Sequence, residues 1–423
     1  MTRLARLARL AAAAFLMDLA LYLTLTGAPY KALALGAGPL VLGLIPMARA
    51  LPYSLITTWA GHRSEGTDRM RIARWTVVVG GMSVLALAAA PGFGTIFALL
   101  AVVGVAVAFF WPALQATFAE LPHRAGVAGN LSWFNFGWST GKGMGFLLGG
   151  FLLARFGFTA VFATAAVAMV ATLPLLLGAS RGTHAARRSE TAGPLPGELA
   201  AGISGARSGT PGESFATTGE PAIHPRLGRF RRAGWLGNAV AFGVAGVLNH
   251  HYPNWLEAAG RPETLFGSYL GLIFFAQTAS FFVLTRWRGW RYRVWPLLAA
   301  PVPMAATLAL LPGLENPVWI LATAPAVGMA LGFAYSSSIF YSVAAAGNRG
   351  RNAGVHEAAL GFGSILLPLM GGLVARVSGN LAAPYWTAAG VALAAAAVQT
   401  AWLVSGDRAS PETTGTPPPR TGY

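Results

Sequence analysis

Three ionisable side chains lie inside long apolar runs of this sequence, where a charge is costly unless it is paired or faces water. Asp18 lies about eight residues into the first run, Arg49 about eleven residues before the end of the second, and Lys142 near the middle of the fifth. At 1.5 Å per residue, Asp18 and Arg49 would both lie about 12–17 Å from the same membrane face, so they could pair. One interpretation is a static structural pair. The other is that Asp18 exchanges a proton or that Arg49 holds an anionic substrate.

Polar side chains share one helix face with Lys142. Asn135, Trp138, Ser139 and Lys142 recur at spacings of three and four residues, and this face is too polar for hydrocarbon, so it is expected to line a cavity. The same run carries a glycine ridge, which we expect to pack closely against the eighth run through Gly267 and Gly271. The ridge consists of Gly137, Gly141, Gly145 and Gly149.

Two histidine-containing pairs lie at the ends of apolar runs. His356 and Glu357 open the eleventh run, where they could form gate pairs with Arg349, Arg351 or other loop arginines, or simply extend towards the interface. His250 and His251 close the seventh run, where an interfacial role is favoured over a metal site, since no carboxylate or cysteine joins them at ligand spacing. We therefore predict no metal site.

The composition excludes a soluble globular protein. Charged residues make up 10% of the 423 residues and hydrophobic residues 55%, against about a quarter charged in ordinary soluble domains. Cysteine is absent, which excludes disulfides, thiolate metal sites and cysteine nucleophiles. The net charge of +16 comes mostly from short loops between apolar runs, so it indicates membrane topology and lipid headgroup contacts, not nucleic-acid binding.

Twelve apolar runs are long enough to span a bilayer, which needs about 20 residues. We predict an all-α membrane protein with residues 1–178 as one six-helix bundle and 234–404 as another, joined by a disordered cytoplasmic linker over 179–233 and followed by a disordered tail over 405–423. The first run carries Asp18 and continues to about residue 27, so we expect it to be retained and not cleaved as a signal peptide. The predicted spans are 10–27, 37–60, 75–91, 94–118, 128–153, 158–178, 234–252, 265–285, 294–312, 317–342, 353–375 and 384–404.

The distribution of Lys and Arg predicts the orientation. On the face that carries both termini the loops and tails hold 24 of the 30 cations, whereas the opposite loops hold Lys31, Arg155, Arg261 and Arg376. The positive-inside rule therefore places both termini in the cytoplasm, in a plasma (inner) membrane.

The two halves of the chain repeat each other. The segment from Gly104 to Gly129 resembles that from Gly328 to Gly354, with Trp111 opposite Tyr335, and Gly149-Gly150 recurs as Gly371-Gly372. The interval between matching positions stays nearly constant along the chain, as expected for two parallel six-span repeats.

This plan resembles the major facilitator superfamily over nearly the whole chain, in the twelve-span bacterial form. The loop after the second span keeps part of a family motif, with Gly61, Glu65 and Arg69, and Asp68 beside them; the eleventh span keeps Pro368, Gly371 and Gly372. Phe146 replaces the proline of the family's antiporter motif. The resemblance implies cytoplasmic gate residues at Glu65, Asp68, Arg69, His356 and Glu357. It also implies that the central cavity is lined by spans one, four, seven and ten, which makes Trp111, Gln115, Tyr335, Ser338, Tyr341 and Ser342 candidate substrate contacts beside Asp18, Arg49, Asn135, Trp138 and Lys142.

These features predict a secondary transporter that moves a small solute by alternating access with proton coupling, without a cofactor and as a monomer in contact with membrane lipid. A transporter-like receptor or scaffold that binds its ligand without moving it is the alternative. No nucleotide-binding G-x-x-x-x-G-K-[ST] loop or H-E-x-x-H motif occurs, which argues against ATP-driven transport and against an intramembrane enzyme. The embedded cations favour a small organic anion or an amphipathic substrate, although two neutral pairs would account for them equally well.

Overall fold

A computed structural model describes residues 3–63, 69–119, 126–177, 224–344 and 349–404. The regular elements of these residues are helices, which confirms the predicted all-α class. The α-helices are α1 (Arg3–Ala34), α2 (Pro39–Arg63), α3 (Arg69–Ala86), α4 (Phe93–Ala119), α5 (Gly126–Val170), α6 (Thr172–Leu177), α7 (Leu227–Ala258), α8 (Glu263–Arg286), α9 (Val294–Ala299), α10 (Pro301–Leu310), α11 (Pro317–Val343), α12 (Arg349–Ser378) and α13 (Ala383–Val404).

Ten helical segments of the described chain are long and apolar enough to cross a membrane. One of them, Trp133–Leu176, is 44 residues long and is interrupted at Gly157, whose φ of 72° lies in the left-handed region that favours glycine. This segment covers two of the predicted spans. Helix α7 is 32 residues long but is not among the ten, so the number of twelve spans stays a prediction.

The predicted linker extends too far towards the C-terminus, because its last residues are helical. Residues 178–223 and the predicted tail 405–423 lie outside the described residues, but α7 starts at Leu227, so the prediction of disorder is wrong for residues 227–233. Leu227 and Phe230 are 4% and 1% exposed and pack with Tyr341 in a small core cluster. The intervening arginines hide this apolar spacing in the sequence.

Large apolar side chains cover much of the outer surface. Among them are Trp75, Phe156, Val167, Trp319 and Val377, which are 61–81% exposed. Exposed apolar surface of this extent is unfavourable in water and favourable in lipid. The helices therefore face hydrocarbon around the outside of the bundle.

The repeat seen in the sequence extends to the helix boundaries. Helices α1 and α7 have the same length, and the same number of residues separates their first residues and their last residues. The same number separates the first residues of α4 and α11, and also their last residues. We call this interval the repeat offset. Contacts repeat as well, since Gly104 lies against the carbonyl of Arg49 and Gly328 lies against the carbonyl of Ile273. The repeat offset relates Gly104 to Gly328, and it also relates Arg49 to Ile273. The two halves are therefore built alike around their second and fourth helices.

Two glycine clamps join the two halves on one side of the bundle. We name the side with Arg3 and Val404 the terminal face and the other the opposite face, where short connections such as residues 35–38 lie. In the α2–α12 clamp, a Cβ atom added at Gly43 would lie 2.6 Å from the carbonyl oxygen of Pro368, and one at Gly372 would lie 2.5 Å from that of Pro39.

The α5–α8 clamp repeats this arrangement. A Cβ atom added at Gly267 would lie 2.6 Å from the carbonyl oxygen of Phe146, and one at Gly150 would lie 2.6 Å from that of Glu263. The repeat offset relates Gly43 to Gly267, and a slightly shorter offset relates Gly150 to Gly372. In both clamps the helices touch through backbone atoms, which is possible because glycine has no side chain.

The glycine ridge of α5 faces α1, not the eighth span as predicted. Gly137 and Gly141 lie against the backbone of Ala11 and Phe15, Gly145 against Leu19 and Tyr22, and Gly149 against Thr26. Gly267 and Gly271 do contact α5, but through Gly143, Phe146, Leu147 and Gly150 on its other side. Glycines occur on both sides of α5, so spacing alone could not assign the neighbours.

A single methyl group on this ridge should destabilise the protein. In Gly141→Ala the new Cβ atom would lie 3.0 Å from Phe15 Cα, and such overpacking costs about 1–3 kcal/mol. We expect the free energy of unfolding in mixed micelles to fall by that amount. Gly390→Ala in α13 is the matched control because nothing lies within 4 Å of a Cβ atom there. Equal stability of the two variants would contradict the tight α1–α5 packing.

Candidate functional site

Lys142 lies in an aromatic cage between the two halves of the chain. Its side chain is 5% exposed, and the ammonium nitrogen lies 4.7 Å from the ring centroid of Tyr22, 4.8 Å from Trp138, 4.9 Å from Phe274 and 5.9 Å from Phe242. These distances are within the range of cation–π attraction. The rings belong to α1, α5, α7 and α8, so each half of the chain supplies two of them.

Asp18 is the anionic neighbour of this cage. It is 5% exposed, and the cations whose charges act on its carboxylate are Lys142 and, more weakly, Arg49. No hydrogen bond or ion pair within 4.0 Å joins Asp18 to either cation in the described part of the chain. The expected pairing of Asp18 with Arg49 is therefore an interaction at longer range, in which Lys142 has the larger share.

The guanidinium group of Arg49, on α2, has few direct partners among the described residues. Its Nε atom is enclosed and has no hydrogen-bond partner among the described residues, and its charge acts on Asp18, Tyr53 and His250. Asp18, Arg49 and Lys142 together carry one net positive charge. Asp18 and Lys142 are buried and Arg49 is half-buried. An excess charge removed from water is unfavourable unless a counter-ion joins it, so this cluster favours an anion.

The three charges of the cluster, Asp18, Arg49 and Lys142, all lie in the first half of the chain. The repeat offset places Phe242 at the position equivalent to Asp18, and Ile273 at that equivalent to Arg49. With the shorter offset that relates Gly150 to Gly372, Ser364 corresponds to Lys142. The second half thus presents rings and uncharged residues where the first half presents charges.

Further aromatic rings extend the cage towards α11. Tyr335 lies 6.1 Å from both Trp138 and Phe242, measured between ring centroids, and Phe281 lies 5.7 Å from Tyr335. The indole N–H of Trp138 donates to the amide oxygen of Asn135 at 3.0 Å. This bond fixes the orientation of Trp138, so the predicted residues Asn135, Trp138 and Tyr335 do belong with Lys142.

His356 connects this region to α7 and α12. It is fully buried, its Nδ1 atom lies 2.8 Å from the Ser338 hydroxyl, and the Asn238 amide donates to its carbonyl oxygen at 3.2 Å. Its ring packs against Tyr335 with 5.0 Å between the centroids. The alternative that His356 extends to the interface is therefore wrong, because the helix turns this side chain towards its neighbours in the bundle.

Glu357, the next residue, behaves differently. Its side chain is 62% exposed, and its Oε1 atom lies 3.9 Å from His356 Nε2. Its charge acts on Tyr53 of α2, in the first half, and on Tyr335 of α11, in the second half. Of the other gate candidates, Glu65 and Asp68 lie outside the described residues, and Arg69 is described only as the first residue of α3.

Several predicted contacts have partners outside the cage. Trp111 packs on Phe110 and Phe134 at 5.1 and 5.7 Å, and Gln115 follows one turn later on α4. The Tyr341 hydroxyl accepts a hydrogen bond from the Tyr292 N–H at 3.0 Å. Likewise, Ser342 accepts one from Trp235 at 2.9 Å. Tyr341 and Ser342 thus hold helices together, and their role as substrate contacts stays a prediction.

His250 and His251 are buried, not interfacial as predicted. They are 3% and 2% exposed; His250 Nδ1 lies 2.8 Å from the carbonyl oxygen of Gly246, and His251 Nε2 lies 2.8 Å from that of Pro368. Helix α7 continues to Ala258, beyond the predicted end at residue 252, which places both histidines inside the bundle. His251 also lies against Gly372 of the α2–α12 clamp.

Sequence reasoning missed three walls of the cage. Tyr22, Phe242 and Phe274 carry no charge, and the chain contains 24 phenylalanines, so nothing marks these rings individually. The internal repeat was the one signal that could have indicated two of these rings. It relates Asp18 of the first helix to Phe242. It relates Arg49 of the second helix to Ile273, the residue before Phe274.

Residues 10–355 match the sequence profile of the Major Facilitator Superfamily, which is most of the chain. The chain belongs to the major facilitator superfamily. This membership identifies a multi-pass integral membrane protein that is a transporter of small molecules and not an enzyme. No curated protein sequence is significantly similar to the chain.

Solved structures share the superfamily fold at low sequence identity. A bacterial homologue of the human lysosomal transporter Spinster, in an inward-facing and unoccupied conformation, has a TM-score of 0.66 and 15% identity, covering 96% of this chain and 97% of its own. The nucleoside transporter NupG has a TM-score of 0.66 and 14% identity over 94% and 99% of the two chains. A peptide transporter, POT, has a TM-score of 0.68 and 15% identity over 93% of each. These major facilitator structures establish the fold of this chain.

Proposed function

We propose that this protein is a proton-coupled secondary transporter in which Asp18 takes up and releases the coupling proton. The observation that carries the proposal is the position of Asp18, which is buried beside two cations on different helices, Lys142 on α5 and Arg49 on α2. A buried ionisable group within a membrane span is costly and is a functional candidate by default. The nucleoside and peptide transporters of the same fold move different solutes, so fold alone assigns no substrate.

Protonation of Asp18 changes the charge balance of the site. The ionised carboxylate offsets one of the two cations, whereas the neutral acid leaves both without a counter-ion. The groups whose charges interact with Asp18 are Lys142, Arg49 and the Tyr53 hydroxyl, and the charge of Arg49 also acts weakly on His250 of α7. One proton therefore alters the affinity of the site for an anion, which is the linkage that coupled transport requires.

The glycine clamps supply the moving contacts in this proposal. Gly43 and Gly150 lie six and eight residues from Arg49 and Lys142, respectively, which corresponds to about 9 and 12 Å along a helix. The clamps thus close the bundle between the site and the opposite face. Alternating access would separate them as one half rocks against the other. We place both termini in the cytoplasm and the protein in the inner membrane, and we expect it to act as a monomer.

Flux in proteoliposomes tests the coupling. With an imposed pH gradient and a panel of organic anions, wild-type protein should accumulate one solute against its concentration gradient, and a pH-sensitive dye inside should report proton movement. Asp18→Asn removes the titratable group, so we expect it to lose gradient-driven accumulation while solute exchange at equal concentrations continues.

Glu315→Gln is the matched control, since Glu315 is an exposed acid in a loop. It should transport as the wild type does. Full gradient-driven uptake by Asp18→Asn would contradict the assignment of Asp18. Saturable binding without flux of any solute would favour the receptor or scaffold alternative.

A further inference from the structure

The Lys142 cage already contains a cation, which limits what can bind beside it. Its rings lie within 5.9 Å of the ammonium nitrogen, and the ammonium makes no hydrogen bond within the described residues. A cationic ligand would have to displace Lys142 from these rings and add a second positive charge. An anion instead supplies a hydrogen-bond acceptor for the ammonium of this largely buried side chain.

The charge balance of the site favours a single negative charge on the ligand. Asp18, Arg49 and Lys142 sum to one positive charge while Asp18 is ionised, and a monoanion neutralises that charge. A proton on Asp18 and a monoanion taken up together leave the net charge of the site unchanged. Protonation of Asp18 would make the cluster still more favourable for an anion. Glu357, 62% exposed, is the further acid that acts on Tyr53 and Tyr335 beside this site, and it disfavours additional negative charge on that side.

The rings of the second half favour an apolar, planar body on the ligand. Phe242 and Phe274 are 9% and 4% exposed, and Tyr335 and Phe281 continue the aromatic wall. A planar ring of the ligand can pack against such faces and edges. A hydrophilic solute such as a sugar would find few hydrogen-bonding partners on this wall.

We propose that this site binds an aromatic monocarboxylate, with its carboxylate at Lys142 and its ring against the aromatic wall of the second half. This inference rests on the proposed function and specifies its substrate class. The carboxylate of the ligand and that of Asp18 share the same cations. The ligand therefore competes with the ionised form of Asp18 and binds together with its protonated form.

Binding to the purified full chain tests the substrate class. The probes are benzoate, its neutral analogue benzamide, its cationic analogue benzylamine, and acetate, which lacks the ring. Benzoate should raise the unfolding temperature in a saturable manner and bind at least about tenfold more tightly than each of the other three. Equal binding of benzamide or benzylamine, or no binding of benzoate, would overturn the proposal.

Variants assign the binding to the cage. Lys142→Gln should weaken benzoate binding by at least about tenfold, whereas Asp18→Asn should strengthen it because the competing carboxylate is gone. Lys31→Gln is the matched control, since this other lysine lies over Phe158 near the end of α1. Unchanged affinity in Lys142→Gln, or weaker binding in Asp18→Asn, would overturn the proposal.

A second measurement does not depend on the folding of Lys142→Gln. The sequence contains two lysines, Lys31 and Lys142, so in a Lys31→Arg background an amine-reactive reagent can modify the side chain of Lys142 alone. Benzoate should slow this modification, as followed by peptide mass, and benzamide should not. Equal rates with and without benzoate would overturn the proposal.

Flux separates this inference from the proposed function. Benzoate binding with the expected variant pattern but without proton-driven movement would leave the ligand class in place and refute coupled transport. Proton-driven movement of another solute without benzoate binding would refute the ligand class and leave coupled transport in place.

Discussion

Asp18→Asn should destabilise the ligand-free protein more than any other single substitution in the site. The variant leaves the buried Lys142 and the half-buried Arg49 without the anion on which both act. Removal of one partner from a fully buried charge pair costs about 3–5 kcal/mol, and the half-burial of Arg49 favours the lower end of this range. We expect the free energy of unfolding in mixed micelles to fall by about 3 kcal/mol. The measurement is a denaturant titration near neutral pH.

Lys142→Gln should behave differently. It removes the cation that acts more strongly on Asp18 and leaves Arg49 to offset that carboxylate at longer range. We therefore expect a cost of about 1 kcal/mol in the wild type and a recovery of about 2 kcal/mol in the Asp18→Asn background. Asp18→Asn combined with Lys31→Gln is the control pair, since the two residues lie far apart along α1, at about 20 Å by helical rise, and should be additive. A cost of Lys142→Gln that is the same in both backgrounds would show that the two charges do not interact.

Gly372→Val should abolish transport while ligand binding persists. The added side chain would meet the carbonyl oxygen of Pro39 and the His251 ring, which lie 2.5 and 3.2 Å from an added Cβ atom. The α2–α12 clamp then cannot close, so the protein is held open towards the opposite face. We expect solute flux in proteoliposomes to fall by at least about tenfold, since a rise of about 1.4 kcal/mol in the free energy of the closed state suffices for that.

Accessibility reports the trapped state directly. The chain contains no cysteine, so Ala50→Cys next to Arg49 gives a unique thiol. This thiol lies between the α2–α12 clamp and the terminal face. An impermeant maleimide applied from the opposite face should label it faster in the Gly372→Val background. Gly94→Val is the control because nothing surrounds a Cβ atom there. Wild-type flux in Gly372→Val would contradict the role of the clamp.

The sequence predicts the charged half of the site well and the aromatic half poorly. Asp18, Arg49 and Lys142 are recognisable because each interrupts an apolar run, and hydrocarbon makes such interruptions costly. Their common location depends on how α1, α2 and α5 pack. Helical spacing also placed Asn135 and Trp138 beside Lys142 correctly, because residues on one helix share a face irrespective of tertiary structure.

Contacts between helices are where sequence reasoning fails. Glycines occur on two sides of α5, so the choice between α1 and α8 as the neighbour of Gly141 depends on the packing of the whole bundle. His250 looked interfacial because the apolar run ends near it, yet α7 continues past it for two turns. Phe242 and Phe274 give no signal at all, since a ring that faces a ligand and one that faces lipid are identical in sequence.

The location of Asp18, Arg49 and Lys142 in the first half of the chain determines how a bound solute would move. Rocking of one half against the other changes distances between the halves but leaves those within each half almost constant. An anionic ligand held by Arg49 and Lys142 would therefore move with the first half, with its ionic contacts intact throughout the cycle. The second half would act as a removable apolar lid, and release would begin when its rings withdraw from the ligand and water reaches the carboxylate.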